Sequence, residues 1–203
     1  MFHVLVCKLH SITLVPLLLI SSLLAGCGIN NIPTYDEEVK AAWGQVENQY
    51  QRRADLVPNL VETVKGFAKQ EKDVLIQVVE ARSKVAQMQV PKDVLTNPAA
   101  FKQFQQNQDA LSSSLARLLV VVEKYPELKS DQNFLALQSQ LEGTENRISV
   151  ARRDYIEAVK KYNTELRTIP GKWWASLMYP DAIVKETFSA SAEAKEAPKV
   201  KFQ

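Results

Sequence analysis

The sequence predicts an all-α fold, an elongated antiparallel four-helix bundle that follows an N-terminal lipoprotein signal peptide. Three observations predict it: an apolar N-terminal segment ends at a cysteine, apolar residues then recur at spacings of three and four, and prolines separate the periodic segments. The predicted organisation is a signal peptide at 1–26, a lipidated linker at 27–34, the bundle at 35–169, an aromatic amphipathic segment at 170–188 and a disordered tail at 189–203.

The N-terminal segment has the layout of a signal peptide, with Lys8 followed by an apolar stretch at 12–24. A helix that crosses a membrane needs about 20 apolar residues, and this stretch is shorter. It ends in Leu24-Ala25-Gly26-Cys27, which resembles the bacterial lipobox. We therefore expect cleavage before Cys27 and acylation of its thiol, with an uncleaved signal anchor as the alternative. Gly28 after the cysteine resembles the sorting rule of enteric bacteria, which favours the periplasmic face of the outer membrane if the cell has one.

Composition excludes several classes of site once the signal is removed. His3, His10 and Cys7 all lie in the signal, so the mature chain has no histidine and only Cys27 as cysteine. This excludes Cys/His nucleophile pairs, Cys/His zinc sites and disulfides, and we expect neither cofactor nor metal. The whole chain has 25 Lys and Arg against 23 Asp and Glu, without a basic stripe, so we expect no nucleic-acid partner.

The first two helices are predicted at 36–53 and from Asp55 to about residue 89. Asp55 would cap the second helix and Pro58 would lie in its first turn, with a kinked continuation of the first helix as the alternative. Gly44, Gly66 and Gly143 fall within predicted helices, where close helix packing is the expected reason for them.

The third and fourth helices are predicted from the clearest periodicity and from capping residues. The third carries an inward seam of Phe101, Phe104, Gln108, Leu111, Leu115, Leu118, Val122 and Tyr125. Pro126 ends it, Ser130 or Asp131 caps the fourth, and Pro170 closes the fourth. Four amphipathic helices with short connections favour an antiparallel bundle.

Two blocks of this sequence resemble the LemA family of bacterial membrane-associated proteins. The first is RRADLVPNLVETVKGF at 52–67, and the second runs through YPELK at 125–129, LEGTENRI at 141–148 and ARRDY at 151–155. The resemblance covers about residues 35–168. It implies a helical bundle outside the cytoplasmic membrane on an N-terminal anchor, without an established enzymatic activity. The lipobox and the residues after Ile169-Pro170 depart from the family pattern, which leaves 171–188 outside the resemblance.

Three groups of residues are candidate sites. The first is a polar cluster that forms either a recognition site or an ion-paired layer that fixes helix register: Arg52, Arg53, Asp55, Glu145, Asn146, Arg147 and Arg152. The second is the pair Trp173 and Trp174, which would contact a membrane or protein surface or pack against the bundle. The third comprises Glu47, Glu62 and Glu145, either an acid–base pair or a solvated helix face.

These observations predict a non-enzymatic scaffold or interaction protein of the bacterial cell envelope. Its expected partners are the membrane, through lipid on Cys27, and an unidentified envelope protein. The alternatives are an envelope enzyme or enzyme subunit that uses carboxylates, and a carrier of a hydrophobic ligand. The sequence leaves the oligomeric state open.

Overall fold

The computed structural model describes residues 28–189, and the calls on the signal peptide, on Cys27 and on residues 190–203 of the predicted tail lie outside that range. The described part contains helices and no strand, so the all-α fold is confirmed. The helices are α1 (Asn31–Phe67), α2 (Lys72–Gln87), α3 (Pro98–Val122), α4 (Pro126–Lys129), α5 (Gln132–Arg167) and α6 (Gly171–Met178).

The longest helices, α1 and α5, pack against each other in antiparallel directions. Lys161 of α5 forms an ion pair with Glu38 near the start of α1 at 2.8 Å, and Glu145 forms one with Arg53 further along at 3.0 Å. Because α5 runs back along α1, the C-terminal end of α5 lies beside the start of the described chain. We call this end, which holds Gly28, the proximal end, and the turn after α1 the distal tip.

The helices α2 and α3 complete the bundle as a second antiparallel pair. Tyr125, just after α3, donates a hydrogen bond to Glu71 just after α1, so α3 runs in the same direction as α1. Arg117 of α3 lies 3.4 Å from Gln77 of α2, which runs the opposite way. The inward apolar residues of the four long helices form two clusters, one towards the distal tip and one towards the proximal end.

The predicted break at Asp55 is wrong, because α1 continues without interruption through Pro58 to Phe67. The alternative of a continued helix is the one observed, and the chain turns instead at 68–71. Proline has no N–H to donate to the carbonyl four residues earlier, so Pro58 leaves the carbonyl of buried Ala54 without its helical partner. Arg82 of α2 supplies a donor, with its Nε at 3.3 Å from the Ala54 oxygen.

The start of α1 also differs from the prediction, because the helix begins at Asn31 and shortens the predicted linker of 27–34. Ile32 is buried in the proximal cluster, and the Asn31 side-chain amide donates to Glu165 of α5 at 3.2 Å. These contacts fix the first turn of α1 against α5.

The predicted capping of the later helices is confirmed at Asp131. Its carboxylate accepts from the Phe134 amide at 2.8 Å at the start of α5. Asn97 caps α3 in the same way, with its side-chain oxygen accepting from Ala99 and Ala100. Each cap satisfies amides that have no intrahelical partner.

Residues 179–189 form an extended segment, which we call the strap, that lies against the proximal half of the bundle. Tyr155 donates to the Glu186 carbonyl at 2.8 Å, and the Asn163 side chain both donates to and accepts from the Lys185 backbone. The Glu186 amide donates to the Leu95 carbonyl at 2.7 Å. Since α2 has 16 residues and α1 has 37, the strap and the loop at 88–97 cover core that α2 does not reach.

Phe188 anchors the strap in an aromatic cluster. Its ring centroid lies 5.0 Å from that of Phe101, 5.6 Å from Tyr155 and 6.2 Å from Trp43. Trp43 also packs on Phe104 at 4.9 Å. Stacked, tilted and edge-to-face aromatic pairs at these separations stabilise a core beyond the area they bury, so residues 179–188 belong to the folded domain.

The expected reason for the helical glycines is wrong. A Cβ atom at Gly44, Gly66 or Gly143 would meet no side chain or neighbouring helix within 4 Å. Gly171 is the position where glycine is required, because a Cβ there would lie 2.2 Å from the Glu165 carbonyl oxygen. That close approach allows α6 to fold back against the end of α5.

The contact between Arg82 and the Ala54 carbonyl predicts a coupling between Arg82 and Pro58. Arg82→Met should lower the free energy of unfolding by about 1–3 kcal/mol, because a buried carbonyl loses its donor. In a Pro58→Ala background the new amide can donate to Ala54, and the same substitution should cost about 1 kcal/mol less. Chemical denaturation of the four variants measures this, and an equal cost in both backgrounds would contradict the account.

Candidate functional site

Arg53 lies at the centre of the bundle and joins three helices. Its side chain is 1% exposed, although arginine is almost never fully buried unless paired. One terminal nitrogen donates to Glu145 of α5 at 3.0 Å and to the Ser112 hydroxyl of α3. The other donates to the Gln108 side-chain oxygen at 2.7 Å and to the Gln108 carbonyl at 3.1 Å. The guanidinium therefore connects α1 with both α3 and α5.

We call Arg53, Glu145, Gln108 and Ser112 the Arg53 layer. The environments of its two charged residues differ. The Glu145 side chain is 42% exposed, so the ion pair has one partner in the core and one at the surface. The Arg53 carbon Cζ lies 5.0 Å from the centre of the Tyr50 ring, a distance suited to a cation–π contact. Burial raises the pKa of Tyr50, while the positive charges of Arg152 and Arg53 oppose that shift. Tyr50 therefore stays neutral against the arginine.

The other residues of the predicted polar cluster do not join this layer. Arg52, Asp55, Asn146 and Arg147 are exposed, and Asp55 accepts a hydrogen bond from Gln51 at 2.7 Å. Arg152 is half-buried, with its guanidinium 4.4 Å from the centre of the Phe188 ring. The structure therefore brings together Arg53 and Glu145, and places Arg152 nearer the strap.

Sequence reasoning missed two members of the layer, Gln108 and Ser112. Gln108 is 3% exposed, and its place on the otherwise apolar seam of α3 was the available signal, because a polar residue at a core position needs a partner. Ser112 lies one turn further along α3 and gave no such signal.

The tryptophan pair is divided between two environments at the proximal end. Trp173 is 61% exposed. Trp174 is half-buried against the proximal cluster, and among the described residues its indole N–H has no hydrogen-bond partner. The two neighbours therefore lie on different faces of α6.

An open groove of about 520 Å³ lies between α1 and α2 near the distal tip. Val61, Leu75, Ile76 and Val79 form its apolar floor, and charged side chains that include Lys65, Lys69 and Lys72 surround it. The groove lies on the outside of the bundle, whereas the interior around Arg53 is filled by side chains.

Within residues 28–189, no group of three or more His, Cys, Asp or Glu side chains is placed to hold a metal ion. No helix in the same range is long and apolar enough to cross a membrane. The predicted carboxylates are also separated, because Glu47 and Glu62 lie on one continuous helix about 22 Å apart along its axis. Glu145 is held by Arg53.

The fold is therefore that of an all-helical bundle whose central polar layer connects its helices. The LemA family model matches residues 42–202, and the chain belongs to the LemA family. Membership of this family suggests a membrane-associated helical protein. The match includes residues 171–188, so it extends beyond the part of the sequence, about residues 35–168, in which the resemblance was found.

The chain is also similar to two curated proteins of Paramagnetospirillum magneticum (strain ATCC 700264 / AMB-1), magnetosome protein MamQ 1 and magnetosome protein MamQ 2. Each is 25% identical to it over 162 residues, an alignment that covers 72% of this chain and 60% of the relative. The chain thus spans less than two thirds of the length of these relatives.

The Arg53 layer predicts a large difference between two adjacent arginines. Arg53→Ala should lower the free energy of unfolding by about 3 kcal/mol or more, because it removes a buried group with partners on two other helices. Arg52→Ala, at an exposed position, should change it by less than about 0.5 kcal/mol. Urea denaturation followed by circular dichroism measures both, and equal unfolding midpoints would contradict a structural role for Arg53.

Proposed function

We propose that this protein is a lipoprotein, acylated on Cys27, whose bundle is a non-enzymatic scaffold that binds a partner protein in the bacterial cell envelope. The observation that carries the proposal is the short distance in sequence between lipid and helix. Three residues separate Cys27 from Asn31, where α1 begins, and α1 then continues for 37 residues, about 55 Å. The lipid and the start of α1 would therefore be joined by a short linker.

The non-enzymatic part of the proposal is supported by the use of the polar residues. The bonds of Arg53 described above run from its two terminal nitrogens to other helices of the chain, so these nitrogens have partners without a substrate. Glu62 is exposed and pairs with Lys65 at 3.3 Å, as expected for a solvated helix face. These contacts favour a structural role for Arg53 and Glu145 and a solvated helix face for Glu62, over an acid–base pair of carboxylates.

The carrier alternative would need a cavity within the bundle or a groove suited to an apolar ligand. The aromatic residues Trp43, Phe101, Phe104, Tyr155 and Phe188 fill the proximal interior. The distal groove is an outer surface with an apolar floor, which equally suits contact with another protein. We therefore propose that the groove is part of the surface that contacts the partner protein.

The site of action follows from the proposed anchor. The lipobox would place the bundle outside the cytoplasm, and Gly28 after the cysteine favours the periplasmic face of the outer membrane where the cell has one. The distal tip would then be available to envelope proteins at a distance set by the length of α1.

Lipid attachment predicts that labelling depends on Cys27 alone. In cells fed an alkyne analogue of palmitate, the wild-type chain and the Cys7→Ser variant should be labelled, because Cys7 lies in the segment that is removed. Cys27→Ser should lose the label and leave the membrane fraction or remain as precursor. Label that persists in Cys27→Ser would contradict the proposal.

The scaffold half of the proposal is tested in the same strains with a photo-crosslinking residue at Ile76 in the distal groove. We expect a discrete crosslinked protein that is lost when Cys27→Ser removes the anchor. The matched control position is Val150, exposed on the middle of α5. Crosslinks to lipid alone at Ile76 would overturn the scaffold function.

A further inference from the structure

Helix α6 lies across the proximal end of the bundle, next to the point where the chain enters from Cys27. It contacts both α1 and α5. A Cβ placed on Gly28 would lie 3.7 Å from the Pro170 ring, immediately before α6. Gly28 directly follows Cys27 in the sequence. Because consecutive Cα atoms are about 3.8 Å apart, the attachment point of any lipid on Cys27 would be one residue from this end of the molecule.

Four large apolar side chains in α6 and just before it are exposed. Ile169 is 64% exposed, Trp173 61%, Leu177 72% and Met178 53%. Trp173 and Leu177 are four residues apart and so lie on one face of α6. Trp174 and Ala175 cover the opposite face against the proximal cluster. We call the exposed pair Trp173 and Leu177 the apolar end face; Ile169 and Met178 are exposed beside it.

The length and composition of α6 fit the interfacial region of a bilayer. Eight residues of helix span about 12 Å, so α6 could lie in the headgroup region but could not cross the ~30 Å hydrocarbon core. Tryptophan is enriched at that level of the membrane, and short apolar faces bind there. Lys172 is exposed beside Trp173 and would face anionic headgroups.

We propose that the apolar end face inserts into the surface of the same membrane that holds the lipid of Cys27. This inference rests on the proposed lipid anchor and adds a second point of attachment to it. The membrane is favoured over a protein as the occupant because the chain enters the bundle beside this face and the acylated residue would be next to it. Two attachment points would restrict the rotation of the bundle about its lipid, which a single lipid anchor would not do.

The test uses the full lipidated chain in vesicles of phosphatidylethanolamine and phosphatidylglycerol, with the fluorophore NBD on a cysteine introduced by Leu177→Cys. Acylation blocks the Cys27 thiol, so the new cysteine takes the label. The matched control is Val120→Cys, which is 68% exposed on α3 near the distal tip. We expect blue-shifted emission at position 177 and quenching by doxyl-labelled lipid, with neither effect at position 120. Adding Trp173→Glu should remove both effects at position 177.

Flotation of the same vesicles separates failure of this inference from failure of the anchor. If the chain floats and the label at 177 behaves like the label at 120, the apolar end face is not inserted and the inference is overturned while the anchor stands. A blue shift without quenching by doxyl lipid means that the face is covered by the bundle itself or by a second copy of the chain, and this result also overturns the inference. If the chain does not float, the anchor itself fails.

Discussion

The constraint on which the rest of the structure depends is the continuity of α1 through Pro58. A proline inside a helix removes one hydrogen bond and usually kinks or ends the helix. Here the Ala54 carbonyl that lacks its helical partner faces α2. Arg82 of α2 donates a hydrogen bond to it, so α2 must pack against α1 at this level. The same inner face carries Tyr50, Arg53 and Val57. The proline is therefore tolerated because tertiary packing replaces the bond that it removes.

The positions of the surfaces proposed for the membrane and for a partner follow from this one long helix. Because α5 packs antiparallel along α1, the chain returns to its starting end and places α6 beside Gly28. Because α2 reaches only part of the way, the core at that end needs the strap, held by Tyr155 and Asn163. Burial alone would raise the pKa of Asp36, but hydrogen bonds from Lys185 of the strap and from Lys40 lower it overall. In the functions proposed above, the proximal end would contact the membrane and the distal tip would contact the partner.

Much of the fold was predictable from the sequence because its causes are local. The seam from Phe101 to Val122 and the cap at Asp131 specify α3 and the start of α5 without reference to the rest of the chain. The break placed at Asp55 was wrong because the residue that compensates for Pro58 is Arg82, which is distant in sequence. Arg53 and Glu145 were predicted only as two members of a seven-residue polar cluster, and the bond to Ser112 and the role of Phe188 depend on the assembled bundle. No periodicity marks an extended strap.

The measurement that tests the central claim most directly is the distance between spin labels on Glu37→Cys and Lys65→Cys, both exposed positions of α1. A single helix across 28 intervals of 1.5 Å predicts a narrow distance distribution near about 42 Å. Pulsed electron paramagnetic resonance on the lipidated chain measures it, because the acylated Cys27 takes no label. A helix that turns back at Asp55 would bring the labels to less than about 25 Å, and that result would contradict the account.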